Sequence, residues 1–137
     1  MGVQNLAVDW LERTLRFLED GRRNLNLAGF VAEVEDGTKH TIVASAVCQV
    51  FAGPYPTIID PVDRRDGYVW GVYVHPDYRR RGHAGRLVEL CAGHLKDVGC
   101  TQALLNAAPM GKALYAKMGF EESNAMKLDL KKWQKRE

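Results

Sequence analysis

Residues 68–98 read YVWGVYVHPDYRRRGHAGRLVELCAGHLKDV, and the fold turns on how this stretch is read. Residues 68–74 are almost wholly apolar, which predicts a central strand buried on both faces. Gly71 in its middle marks a bulge or a close approach by another group. Pro76 ends the strand. Ala84, Leu87, Val88, Cys91, Leu95 and Val98 then recur at helical spacing, which predicts a helix over 83–98. Gly99 supplies its stop. TQALLN, residues 101–106, follows as a strand. Strand, helix and strand form a βαβ unit, so the two strands are expected to be parallel.

Upstream, DWLERTLRFLEDG (9–21) predicts a helix with Val8, Leu11, Leu15 and Leu18 on one face. Asp9 and Glu12 form a capping pair at its start, and Gly21 is its expected stop. Residues 30–35 and 41–51 predict two antiparallel strands. Asp36-Gly37 marks the turn between them, in a loop somewhat longer than a minimal hairpin. Residues 53–67 hold three of the five prolines and read as a long loop, of the kind that often carries function. Downstream, GKALYAKM predicts a short helix ending at Gly119, and AMKLDL (125–130) alternates as a last, half-exposed strand. The charged tail from residue 131 is expected to fray.

The junction at Arg79–Gly85 carries the chemistry. A buried strand, a short loop and a helix N-terminus meet there. The first turn of a helix offers unsatisfied N–H groups and the positive end of the helix dipole, which together suit an anion. Gly82 lets the backbone approach a ligand closely, and Ala84 and Gly85 keep that approach uncluttered. Arg79, Arg80 and Arg81 oppose the dipole, at a few tenths of a kcal/mol each. A bound polyphosphate removes that conflict. Neither G-x-x-x-x-G-K-[ST] nor G-x-G-x-x-G is present, so this is neither a Walker loop nor a dinucleotide fingerprint.

Bulk properties bound the answer. A chain of 137 residues, 46% hydrophobic and 26% charged, suits one globular domain spanning 1–137. A net charge of +2 argues against a dedicated nucleic-acid binder, so basic character must be local. Cys48, Cys91 and Cys100 stand far apart, without CxxC or zinc-ligand spacing, and read as reduced packing residues in a cytoplasmic protein with no bound metal. No signal peptide or run of ~20 apolar residues is seen, so no membrane association is expected.

Arg79 through Gly82 to Ala84 match R-x-x-G-x-A. This resembles the pyrophosphate loop, [QR]-x-x-G-x-[GA], of the GNAT superfamily of acyl-CoA-dependent N-acyltransferases. AAPMGKALYAKMGFEE (107–122) is similar to that family's later helix, L-Y-x-K-x-G-F. The resemblance runs over residues 28–122. It implies an α/β fold of the α+β type: a mixed, mostly antiparallel twisted sheet with a central parallel pair and flanking helices. It also implies acetyl-CoA as co-substrate. Val72, Tyr73 and Val74 would splay from the neighbouring strand and offer backbone groups to the pantetheine arm. The N–H groups of Arg80, Arg81, Gly82, His83, Ala84 and Gly85 would hold the pyrophosphate, with Arg79 at the motif's Gln/Arg position. Asn106 is a further cofactor candidate. Tyr115 matches the tyrosine that often protonates the departing CoA thiolate. Family members open with a further strand and helix. Here that first strand is absent or reduced to residues 3–8, which leaves a sheet edge that a second subunit, as in a homodimer, would cover.

The acceptor in this reading is a primary amine of a small molecule or protein. Its base is sought first at Glu33, then at His75 and at Asp60, Asp63 and Asp66. Trp70 and Tyr73 would line a slot. Two alternatives stay open. One is an acyl-CoA-binding module of the same fold without turnover. The other is an RNA- or protein-binding domain using Arg79–Arg81, which predicts steep salt dependence.

Overall fold

The computed structural model describes residues 5–51 and 58–136. Helix α1, Trp10–Asn24, leads into strands β1, Ala28–Asp36, and β2, Lys39–Val50. Strand β3, Asp66–Val74, helix α2, His83–Asp97, and strand β4, Gln102–Leu104, follow. Helix α3, Lys112–Lys117, is the last regular element among the described residues. The sheet runs β1-β2-β3-β4. The first two pairings are antiparallel and β3–β4 is parallel, as the βαβ reading requires.

One face of the sheet packs on α2. Ala44, Ala46 and Cys48 of β2 and Val69 of β3 meet Leu87, Val88, Cys91 and Leu95 of α2. The alanines let the helix lie close. Gly67 does the same beneath Leu95, where a Cβ would stand 2.7 Å from both terminal methyls. Cys48 and Cys91 lie at the centre of this layer and share a hydrogen bond. That bond, followed by burial, pushes the Cys91 thiol above its ordinary range. Val98 caps α2 and Gly99 follows at φ +91°, the left-handed stop the sequence predicts.

The other face meets α1 only in part, so β3 is not buried on both faces as expected: Trp70 is half-buried and Tyr73 is exposed. Phe17 packs edge-to-face on Trp70 with centroids 5.4 Å apart. Trp70 in turn donates from Nε1 to Gln49 at 2.8 Å. The expected packing face of α1 is covered only at Leu18, which is half-buried: Val8, Leu11 and Leu15 stand exposed, and the helix leans on the sheet through Phe17. Gly21 does not stop the helix. It is buried inside it, where its missing side chain admits Leu27, and the helix continues to Asn24. Asp9 pairs with Arg13 at 2.7 Å and makes no cap bond.

Further expectations are corrected. β1 and β2 join through a two-residue loop, with Gly37 at φ +61° in its first position, so the hairpin is minimal. β4 has three residues rather than six. Residues 125–130 form no strand; Met126, Leu128 and Leu130 alternate but find no partner strand and stay exposed. Of the segment 3–8, where a first strand is expected to be absent or reduced, residues 5–8 form no strand, and 3 and 4 lie outside the described residues. Of the expected loop at 53–67, Asp66 and Gly67 belong to β3, and 53–57 lie outside the described residues.

Candidate active site

The site begins at the bulge in β3. Ser45 pairs with Tyr73 and Val47 with Trp70, so β3 carries one extra residue between them. Gly71 takes that place at φ +60°, a left-handed value glycine adopts without strain. Ser45 Oγ donates to the Gly71 carbonyl at 3.0 Å and fixes the bulge. Nothing in local sequence patterning pairs residue 45 with residue 71.

β3 then leaves β4. The two strands pair only from Asp66 to Tyr68, whereas β3 runs on to Val74. The β4-facing side of β3 is therefore free from Val69 onwards. His75 N–H donates to Val43 at 2.7 Å, so by alternation Tyr73 also faces β2 and Val74 faces the free side. The Val74 carbonyl accepts from Arg79 Nε at 3.1 Å, which leaves the Val74 N–H as the open group. Tyr73 thus presents its side chain to the sheet's outer face and its main chain to β2. Val72, next to the bulge, is half-buried.

Beyond Val74 the chain makes a short 3-10 turn, Pro76–Tyr78, capped by the His75 ring, whose Nδ1 accepts from Asp77 N–H at 3.2 Å. His75 is thereby committed to the turn. Arg80 follows at φ +63°, a left-handed conformation uncommon outside glycine. Gly82 caps α2 at φ +82°. Alternating left-handed residues turn successive N–H groups into one concavity suited to an anion. No side chain caps α2 and no acid occupies its first turn. The N–H groups of His83, Ala84 and Gly85 are therefore offered outward. A Cβ at Gly82 would meet nothing within 4 Å, so the space above it is open. Arg79, Arg80 and Arg81 have no carboxylate at ion-pair distance among the described residues, and Arg81 lies over the Tyr78 ring at 5.1 Å. The cradle fits a polyphosphate in shape, donors and charge.

α3 sits beside this helix start, because a Cβ on Gly85 would touch Leu114 at 3.5 Å. Next in sequence, Tyr115 packs its ring on Phe120 with centroids 5.7 Å apart. Burial pushes its phenol above the ordinary value. Its hydroxyl has no hydrogen-bond partner among the described residues. It lines a cleft of about 1190 Å³ along the open edge of β4, with Tyr68, Asn106, Lys112 and Glu122. Asn106 Nδ2 donates to the Tyr68 hydroxyl at 3.3 Å, closing the crotch where β3 and β4 part.

The base candidates separate. Asp66 is buried at the start of β3, where Gln102 donates to it at 2.6 Å. Asp60 shapes a turn by accepting from Val62 N–H at 2.9 Å, and Asp63 is in the same turn. All three lie toward the end of β3 remote from Val74. Glu33 lies on β1, exposed on the outer face, with His40 Nδ1 at 3.6 Å. Its row lies next to the row of Ala32, Ala44 and Val74. Two strand spacings, about 9–10 Å, separate it from β3.

The model of the acetyltransferase (GNAT) family matches residues 4–120. A search of the curated proteins finds no match. Among solved structures, a predicted acetyltransferase with acetyl-CoA from Clostridium acetobutylicum superimposes with a TM-score of 0.75 at 23% identity, covering 98% of this chain and 83% of its own. Glucosamine-6-phosphate N-acetyltransferase from Arabidopsis thaliana gives 0.68 at 17% identity, with 94% and 82% covered. A GCN5-related N-acetyltransferase from Ralstonia eutropha JMP134 gives 0.65 at 26% identity, with 90% and 72% covered.

Proposed function

The chain belongs to the GNAT acetyltransferase family, and from that premise we propose that it transfers an acetyl group directly from acetyl-CoA to a primary amine. What supports the reading is a glycine-opened helix start without a side-chain cap at one end of β3's free edge, and α3 against it through Leu114, with the neighbouring Tyr115 phenol lacking a hydrogen-bond partner among the described residues.

The N–H groups of Arg80, Arg81, Gly82, His83, Ala84 and Gly85 hold the pyrophosphate. Their main-chain donors need no reorganisation on binding, and Arg79–Arg81 add charge with no carboxylate among the described residues to compete. Val72 and Val74 offer main-chain groups to the pantetheine amides, and Arg79 holds the Val74 carbonyl so that its N–H stays aimed outward. Asn106 closes the crotch with Tyr68. When bound, acetyl-CoA supplies the activated thioester. Tyr115 gives its proton to the departing sulfur as the amine nitrogen takes over the acyl carbon. Burial suits it to that task, because it keeps the phenol in the proton-bearing form. Glu33, on the acceptor-facing side of the sheet, draws the ammonium in and receives its proton through water, since its distance from β3 excludes direct contact.

The test is release of free CoA thiol from acetyl-CoA across a panel of primary amines. The reading expects amine-dependent release that collapses in Tyr115→Phe. Acetyl-CoA binding without release from any amine would instead favour a cofactor-binding module of the same fold.

A further inference from the structure

The face of the sheet opposite α2 has a composition of its own. Its rows follow from strand pairing, because directly opposed residues point to the same side. Gly29, Val47 and Trp70 form the first row, Val31, Ser45 and Tyr73 the second, and Glu33 with Ile42 the start of a third. Phe17 of α1 covers the first row at Trp70 and leaves the others open. Val31 is 56% exposed, Tyr73 53% and Ile42 62%. Single exposed apolar side chains need no explanation, but Val31 and Tyr73 flank Ser45 in one row and Ile42 begins the next, so three of them gather round Ser45 as a patch. The patch has an acidic rim. Glu33 and Glu35 both approach His40 Nδ1, at 3.6 and 3.5 Å, and neither has a Lys or Arg partner among the described residues.

An apolar floor with two carboxylates at its border selects on chemistry. It gains from covering by apolar surface and repels an anion from the end of the acceptor that lies toward β1. We propose that the acceptor is a primary ammonium carried on an apolar, ring-sized body that lies across Val31, Ile42 and Tyr73, with its nitrogen passing Tyr73 to the free edge of β3. This rests on the acetyl-transfer reading above and narrows it. It sets this chain apart from any acceptor that is a phosphorylated sugar, whose hydroxyls would go unpaired on this floor and whose phosphate would meet Glu33 and Glu35.

The experiment compares 2-phenylethylamine, glucosamine and glucosamine 6-phosphate as acceptors, read by CoA thiol release, in the wild type and in Val31→Asp. Phenylethylamine is expected to exceed both sugars at least ~10-fold in kcat/KM, the scale set by small apolar groups in a fitted pocket. Val31→Asp is expected to raise its KM about tenfold or more, while the rise in melting temperature with acetyl-CoA stays as in the wild type. Equal or better use of either sugar overturns the proposal and leaves acetyl transfer standing. So does an unchanged KM in Val31→Asp. Thiol release from no amine, with acetyl-CoA still raising the melting temperature, defeats acetyl transfer itself and the proposal with it. Light scattering provides the last arm. A dimer mass that Val31→Asp returns to the monomer means a second copy covers this face, and that result also overturns the proposal.

Discussion

In the proposed reaction Tyr115 and Gly82 are the two residues on which the chemistry turns, and they are expected to fail in different ways when replaced. Phenylalanine at 115 keeps the contact with Phe120 and removes only the hydroxyl. Tyr115→Phe is therefore expected to bind acetyl-CoA normally and to lose ~10²–10⁴-fold in kcat, the scale of general acid catalysis. Equal losses in binding and turnover would show the ring to be structural. The pH dependence has a definite sign. Burial raises the phenol's pKa, so the proton is held to higher pH than in a free tyrosine. The fall of kcat on the alkaline side is expected above the ordinary phenol value of about 10, and a fall centred below it would contradict the assignment. Gly82→Val acts on the cradle. The new Cβ meets nothing within 4 Å, so the cost to the folded state comes mainly from the left-handed backbone, about 1–2 kcal/mol or more for a β-branched residue. Calorimetry should find a folded variant that no longer binds acetyl-CoA.

At the scale of elements, α2 and β3 were legible because each is specified by its own residues. The six apolar positions at helical spacing and Gly99 set the helix, and the observed stop has the expected left-handed geometry. The strand glycine at 71 marked a bulge or a close approach, and the structure has the bulge. Where sequence reading failed, a distant contact decided. Gly21 carries the sign of a helix stop, yet its use is to admit Leu27. The alternation at 125–130 is a strand pattern, but a strand needs a neighbour and none of the described residues supplies one. At the site, the cradle could be read from glycines and arginines in one short run. The Ser45–Gly71 bond spans 26 residues, and the sidedness of Val74 depends on which strand its neighbours pair with. Neither leaves a local trace. Gly67 gives the prediction at this scale. Its backbone is ordinary, so its value is space for Leu95. Gly67→Ala should drive α2 off the sheet and cost ~1–3 kcal/mol, read as a lower denaturant midpoint at unchanged slope. An unchanged midpoint would mean the layer can yield without loss.

For the whole molecule, charge and ligand act together. The net charge is only +2, yet three consecutive arginines stand at a helix start whose dipole they oppose. The protein holds that conflict in the free state, and a bound polyanion would relieve it. Anything that binds the native state alone stabilises it in proportion to RT ln(1 + [L]/Kd). The most direct measurement is therefore the thermal melt of the wild type and of Gly82→Val, each with and without millimolar acetyl-CoA. At ~100 times its dissociation constant the ligand should add about 2.7 kcal/mol, a rise on the order of 10 °C for a chain of this size, in the wild type and not in the variant. A wild-type melt that acetyl-CoA leaves unmoved, or an equal rise in Gly82→Val, would contradict the account.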